Sequence, residues 1–316
     1  MILITGGSGY LGGRLAEFIS NSQIKKIAIT VRKESKTLRK KLPNCDIRIL
    51  DITKPDNIKK ALTDITDVVH LISLNAKDSA ESPELANKIN AHGTLDLIKT
   101  SLDSGVKRFI YVSTAHVYGA PLVGEINEMT PALASHPYAT SHLQAEKYIK
   151  KAATSSKTKF TILRLSNAVG NPIVKDTNCW MLVVNDICKQ IVTSQTMRFS
   201  SQRNIERDYI SIEEICRTIN CILCDETNNF RGIYNFGSGK SISLESIANL
   251  ISERAKVVLG IDARIYFPNQ SGESTKPLSY SISKIQREGI TISNSLNNEI
   301  DKLLIESNNW FKEGVN

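Results

Sequence analysis

Six short apolar runs, MILIT, KKIAITV, CDIRIL, DVVHLI, KRFIYVS and KFTILRL, punctuate the first half of the chain. Each is rich in β-branched residues and bounded by turn signals, the pattern of a buried strand. Between them lie YLGGRLAEFIS, NIKKALT, ELANKINAHGTLDLIKTSL and SHLQAEKYIKKAA, whose apolar residues recur at helical spacing. Strands that alternate with helices in this way constrain the chain to an α/β fold, a Rossmann-type doubly wound parallel sheet. Beyond about residue 170 the rhythm becomes irregular. RDYISIEEICRTI reads as a strand and a helix, and GIYNFGSGKSISLESIANLI as a strand, a Gly-Ser turn and a helix capped by Ser243. We therefore expect a dinucleotide-binding domain over 1–168, with segments near 205–237 returning to it, and a smaller C-terminal substrate-binding lobe over 169–316.

The first strand runs into ITGGSGYLGG, which sets Gly6, Gly9 and Gly12 between a strand and a helix. Missing β-carbons permit a tight turn, approach of backbone to a pyrophosphate, and close helix–strand packing, while the helix N-terminus at Tyr10 and Leu11 presents free amides to phosphate. The end of the second strand bears on the choice of cofactor. An acid there accepts from the adenosine ribose of NAD, but AITVRKE has Thr30 and Val31 at that place, followed by Arg32. A guanidinium without a carboxylate favours the 2′-phosphate of NADP, although RKESKTLRKK also reads as a solvated basic helix. Asp51, followed by Ile52 after the third strand, either accepts from the adenine amine or caps the next turn.

YVSTAHVYG, PYATSHLQAE, Asn90 in INAHGT, Asn167 in LRLSNAVGNP, RDYISIEE and IYNFGSG follow the glycines in order. Together they resemble the extended short-chain dehydrogenases/reductases, in particular the NAD(P)-dependent nucleotide-sugar epimerase/dehydratase branch, over nearly the whole chain. The resemblance implies that Tyr138 is the acid/base, that Thr114 supports it, and that Asn90 belongs to the cofactor site. It also implies that Asn167 and Arg207 bind the nucleotide-diphosphate sugar, and that the protein is a homodimer through helices near 84–103 and 138–152. Chemistry agrees on the tyrosine: hydride transfer at a carbinol carbon needs a proton carrier at its oxygen, and a phenol serves if its pKa of about 10 is lowered. A packing tyrosine is the alternative for Tyr138, and an ion pair with Glu206 or Asp208 the alternative for Arg207.

Two positions depart from the family. His142 stands one helical turn after Tyr138, where the family keeps a lysine that binds the nicotinamide ribose and acidifies the tyrosine. An imidazole still donates to a ribose hydroxyl, but with a reference pKa of about 6.5 it carries little charge at neutral pH. Ala115-His116 replaces the Asp-Glu pair of the sugar 4,6-dehydratases, which removes that reaction's proton donor and base. His116 is left either to contact the sugar or to line the pocket wall.

The favoured activity is NADPH-dependent reduction of a nucleotide-diphosphate keto sugar, with Tyr138 protonating the carbonyl oxygen, Thr114 orienting it, and His142 anchoring the ribose and relaying charge. The alternative is a 4-epimerase with retained NAD. A non-catalytic dinucleotide-binding regulator is a third possibility, which the intact Thr114 and Tyr138 oppose. The chain carries 40 Lys and Arg against 32 Asp and Glu, a net charge of +8 that suits anionic small molecules. Basic residues do not interleave with aromatics, so we expect no nucleic-acid partner. No apolar stretch approaches the roughly 20 residues that span a bilayer, no export signal is visible, and the six cysteines read as free thiols of a cytoplasmic protein. Cys221 and Cys224 lack further ligands at zinc spacing, so no metal is expected.

Overall fold

The computed structural model describes residues 1–22, 25–227, 230–268, 276–293 and 295–312. Its central sheet is built from β1 (Ile2–Ile4), β2 (Ile27–Val31), β3 (Asp46–Ile49), β4 (Asp67–His70), β5 (Arg108–Thr114), β6 (Lys159–Leu165) and β7 (Gly232–Phe236). All pairs are parallel, in the order β7-β6-β5-β4-β1-β2-β3, so the winding direction reverses between β1 and β4. In open sheets of this kind ligands bind at that crevice, beyond the carboxyl ends of the strands. The fold is the doubly wound Rossmann-type sheet that the strand–helix alternation implies.

Successive strand residues face opposite layers. In β1, Ile2 and Ile4 join Leu15, Ile19 and Ile215 on one side, while Leu3 joins Ile58, Val68 and Phe109 on the other. Burying both faces with helices explains the continuous apolar runs. β3 is the exception: it is an edge strand with one neighbour, and Ile49 is 49% exposed. The expectation of a buried strand at CDIRIL gives way there to sheet position.

The stretch ELANKINAHGTLDLIKTSL is not one α-helix. Pro83–Ala86 and Thr94–Asp103 are α-helical, and Asn87–Gly93 between them is a π-helix. A wider turn adds a residue without disturbing the apolar stripe on either side, so periodicity does not register it.

A second core is formed by helices Val183–Ser194, Leu244–Leu259 and Leu296–Phe311, with Ile187, Ile191, Ile247, Ile251, Leu303 and Leu304 among its buried residues. Ser243 caps the middle helix, its Oγ accepting from Ser246 N–H at 3.0 Å. Strand Glu206–Ser211 lies between Asn167–Val169 and Ser241–Ser243 in a small sheet. The chain passes between the two parts repeatedly. Helix Ile212–Cys224 packs on the glycine-motif helix Tyr10–Ser22, β7 closes the main sheet, and Leu278–Tyr280 pairs with Gly124–Ile126. Arg14 fastens the parts together: its guanidinium donates to the fully buried Glu299 at 2.7 and 3.1 Å and to Asn171 O and Oδ1 at 2.9 Å.

Candidate functional site

At the end of β1 the backbone of Gly6 turns with φ +72°, a conformation that favours glycine. Gly6 N–H donates to Thr30 Oγ1 at 3.1 Å and Gly7 N–H to Thr30 O at 2.8 Å, which ties the turn to β2. A β-carbon on Gly12 would lie 2.2 Å from Gly6 O, so helix Tyr10–Ser22 reaches its position only because that carbon is absent. First-turn amides of this helix have no helical acceptor. The side chains of Tyr10 and Leu11 turn elsewhere. The Tyr10 hydroxyl lies 2.9 Å from Gly170 O and 3.1 Å from Asn185 Oδ1, and Leu11 packs on the core. Both residues therefore offer the turn their backbone.

Thr30 is buried and its hydroxyl is used on Gly6, so it is a support of the glycine turn rather than a substitute for a ribose acceptor. Arg32, just past β2, is exposed and makes no ion pair among the described residues. Asp51 forms a turn cap: Oδ1 accepts from Thr53 Oγ1 at 2.7 Å and Thr53 N–H at 3.0 Å, bonds that hold the carboxyl below its usual range. Ile52 is buried under Gly93.

Helix Pro137–Ala153 carries the reactive face. His136 caps it, Nδ1 accepting from Tyr138 N–H at 3.2 Å, and Pro137 occupies the first turn, where a missing N–H costs nothing. Tyr138, His142 and Glu146 then follow at one-turn intervals toward β5. Burial pushes the Tyr138 phenol above its ordinary value, and a hydrogen bond with Thr114 pulls it back. Thr114 ends β5, its Oγ1 also accepting from His116 N–H at 3.2 Å.

His142 is 2% exposed, and its ring meets that of Tyr138 edge-on, centroids 4.6 Å apart. Nδ1 lies 2.7 Å from the Tyr111 hydroxyl, whereas Nε2 is buried and unpartnered among the described residues. Burial, with nearby His116, pushes the imidazole down to about 3. It is neutral at physiological pH, so hydrogen bonding is available to it and the relay of charge expected from sequence is not. Asn90 works from behind. Its Oδ1 accepts from Leu74 N–H at 2.8 Å and its Nδ2 donates to Ser141 at 3.0 Å, joining the loop after β4 to the tyrosine helix.

Asn167 donates from Nδ2 to Asp208 O at 2.9 Å, and its Oδ1 has no hydrogen bond among the described residues. Arg207 is half-buried and forms neither of the two ion pairs considered for it. Asp208 accepts instead from Ser166 and Ser238, and Glu206 from Leu278 N–H at 2.7 Å. His116 is exposed over part of its surface, while burial of the rest of the side chain, with Arg207 and His136 nearby, lowers its pKa.

Five supporting residues escaped the sequence reading. Tyr111 holds His142, and Ser141 holds Asn90. Glu146 and Arg164 form a buried ion pair at 2.6 Å, with Ser113 donating to the same carboxylate at 2.7 Å. The available signal was a charge inside an apolar strand, TILRL, and an acid two turns from Tyr138 on one helix face.

Arabidopsis thaliana UDP-arabinose 4-epimerase 1 is 25% identical over 321 residues, covering 91% of this chain and 74% of its own. Among solved structures, Bacillus cereus UDP-glucuronic acid 4-epimerase in complex with UDP-glucuronic acid and NAD superposes with a TM-score of 0.81 at 19% identity, covering 98% of this chain and 99% of that one. RMD from Pseudomonas aeruginosa complexed with NADPH gives 0.77 at 17% identity, over 98% and 99%. Among the described residues no helix is long and apolar enough to cross a membrane. The model of the NAD dependent epimerase/dehydratase family matches residues 2–237, and with the glycine turn and the tyrosine helix in place the chain belongs to that family, as an enzyme of the extended short-chain dehydrogenase/reductase type.

Proposed function

We propose that the protein reduces the keto group of a nucleotide-diphosphate sugar with NADPH. The observation that carries the chemistry is the trio at the carboxyl end of β5: a half-buried phenol beside Thr114, one helical turn from an imidazole nitrogen that is unpartnered among the described residues. A dinucleotide fits these residues. The glycine turn leaves no room for a β-carbon, first-turn amides of its helix are free for a pyrophosphate, and Nε2 of His142, unpartnered among the described residues, suits a ribose hydroxyl.

When bound, the nicotinamide supplies the hydride. Tyr138 gives its proton to the carbonyl oxygen, and Thr114 holds that oxygen in line by a second hydrogen bond. Burial favours the neutral phenol, which is the form a reductase needs at the start of each turnover. Nε2 of His142 donates to the nicotinamide ribose. Arg32 meets the 2′-phosphate, Asn167 and Arg207 hold the sugar diphosphate, and His116 faces the sugar. In this reading the catalytic unit is residues 1–168 with 205–237, the remainder closes over the sugar, and two copies associate through helices near 84–103 and 138–152.

The lone Arg32 and the missing carboxylate on β2 support NADPH, and titration tests the choice. NADPH should bind more tightly than NADH, and Arg32→Asp should reverse the order. A wild type that prefers NADH removes the reductase and leaves a 4-epimerase with retained NAD, the reading that the epimerase relatives favour. The two also differ in stoichiometry: a reductase consumes one cofactor per product, and an epimerase converts its sugar without net change in reduced nicotinamide. Absence of cofactor oxidation with every sugar tried would leave the regulator.

A further inference from the structure

Tyr111 is neither part of the acid–base pair nor part of the cofactor turn. It lies on β5, 1% exposed, with its hydroxyl 2.7 Å from Nδ1 of His142. A phenol has a single hydrogen to donate. The ring of His70 stacks on Tyr111 at 5.6 Å, but both of its nitrogens are engaged, Nδ1 with Thr5 Oγ1 at 2.7 Å and Nε2 with Thr94 Oγ1 at 2.9 Å. Nδ1 of His142 is the acceptor left for the Tyr111 hydrogen among the described residues. Were the imidazole proton on Nδ1, the phenol hydrogen would point into apolar core and Nε2 would be a bare buried acceptor, two unmade bonds in place of one.

A lysine in this slot brings three donors and needs nothing to orient it, whereas a neutral imidazole has one donor and one acceptor, and a second group must decide which faces the cofactor. We propose that Tyr111 is a positioning residue whose hydroxyl donates to Nδ1, holds His142 in its Nε2–H form, and so makes the residue in the lysine slot a fixed neutral donor. The proposal rests on the reading of His142 as the ribose-binding residue. Tyr111 and His142 then act as one unit, and changing either alone leaves the other without its partner.

The tautomer is measured on the cofactor-free protein, labelled with nitrogen-15 in histidine, by long-range ring correlation spectra at neutral pH. The wild type should show His142 in the Nε2–H form, and Tyr111→Phe should convert it to a mixture. An Nδ1–H form in the wild type, or an unchanged tautomer in Tyr111→Phe, overturns the proposal. Calorimetric titration with NADPH supplies the second arm. Tyr111→Phe should weaken binding by about two- to twelve-fold, one hydrogen bond's worth, and should have no effect in the His142→Lys background, where no Nδ1 exists. Equal losses in both backgrounds, or no loss in either, overturn it as well. Neither measurement depends on turnover, so failure to convert any nucleotide sugar counts against the proposed function alone.

Discussion

Replacing Arg164 with methionine removes half of an ion pair whose side chains are 4% and 0% exposed. In the wild type the Glu146 carboxylate accepts Arg164 Nε on Oε1 at 3.0 Å, Arg164 NH2 on Oε2 at 2.6 Å, and Ser113 Oγ on Oε1 at 2.7 Å. Arg164→Met leaves only the serine, and a carboxylate out of reach of water. Stranding a buried charge in this way costs about 3–5 kcal/mol, a large part of the roughly 5–15 kcal/mol that holds a folded domain together. The same guanidinium lies 4.6 Å from the centroid of the Tyr118 ring, and methionine keeps part of that contact through its thioether. Replacing both partners, Arg164→Met with Glu146→Leu, removes the stranded charge and should recover all but about 1–2 kcal/mol. The assay is equilibrium urea unfolding followed by far-ultraviolet circular dichroism. A loss below about 1 kcal/mol in the single variant, or a double variant no more stable than the single, would refute the picture of a desolvated pair under the catalytic helix.

Tyr138→Phe should abolish turnover while NADPH binding stays within about two-fold, because the variant removes the proton carrier and keeps the ring packed on His142; residual turnover near wild type would refute its role. Gly12→Ala places a β-carbon at 2.2 Å from Gly6 O, so NADPH affinity should fall below detection in a calorimetric titration, and near-normal affinity would refute the cradle. His70 and His142 both have pKa values pushed down to about 3, the latter with Tyr138, Tyr111 and His116 around its ring. They stay neutral in the fold but protonate in the unfolded chain below about pH 6.5, so their stabilisation is complete above that pH and is lost toward pH 3, at about 1.4 kcal/mol per pH unit each. Urea unfolding at several pH values should therefore show a shallower acid slope in His142→Gln, and identical slopes would refute the buried neutral imidazole.

The glycine turn was legible because it depends on atoms that are missing, and a missing β-carbon can be read from sequence. The tyrosine helix was legible because Tyr138 and His142 must share a face at one-turn spacing. The part Thr30 plays in the glycine turn was not legible, because sequence gives a residue's distance along a strand but not which neighbour claims its hydroxyl, here Gly6 N–H. Tyr111 was invisible for a related reason: in FIYVS an aromatic residue reads as core, which its ring is, and only the third dimension puts His142 at the end of its hydroxyl. The π-turn at Asn87–Gly93 and the pairing of Leu278–Tyr280 with Gly124–Ile126 depend on contacts distant in sequence, which local pattern does not carry.

The Arg14–Glu299 contact has a bearing on synthesis. The guanidinium leaves the ribosome 285 residues ahead of its carboxylate partner. In the interval Gly170, whose missing β-carbon makes room for Glu299, lacks that carboxylate, and the sheet lacks β7 until residue 236 has emerged. At about 5–20 residues per second, that is tens of seconds during which the glycine-motif helix exists without its final anchor. The nascent chain spends that time with an unpaired cation and an open sheet edge, at a stage when its cofactor turn is already written.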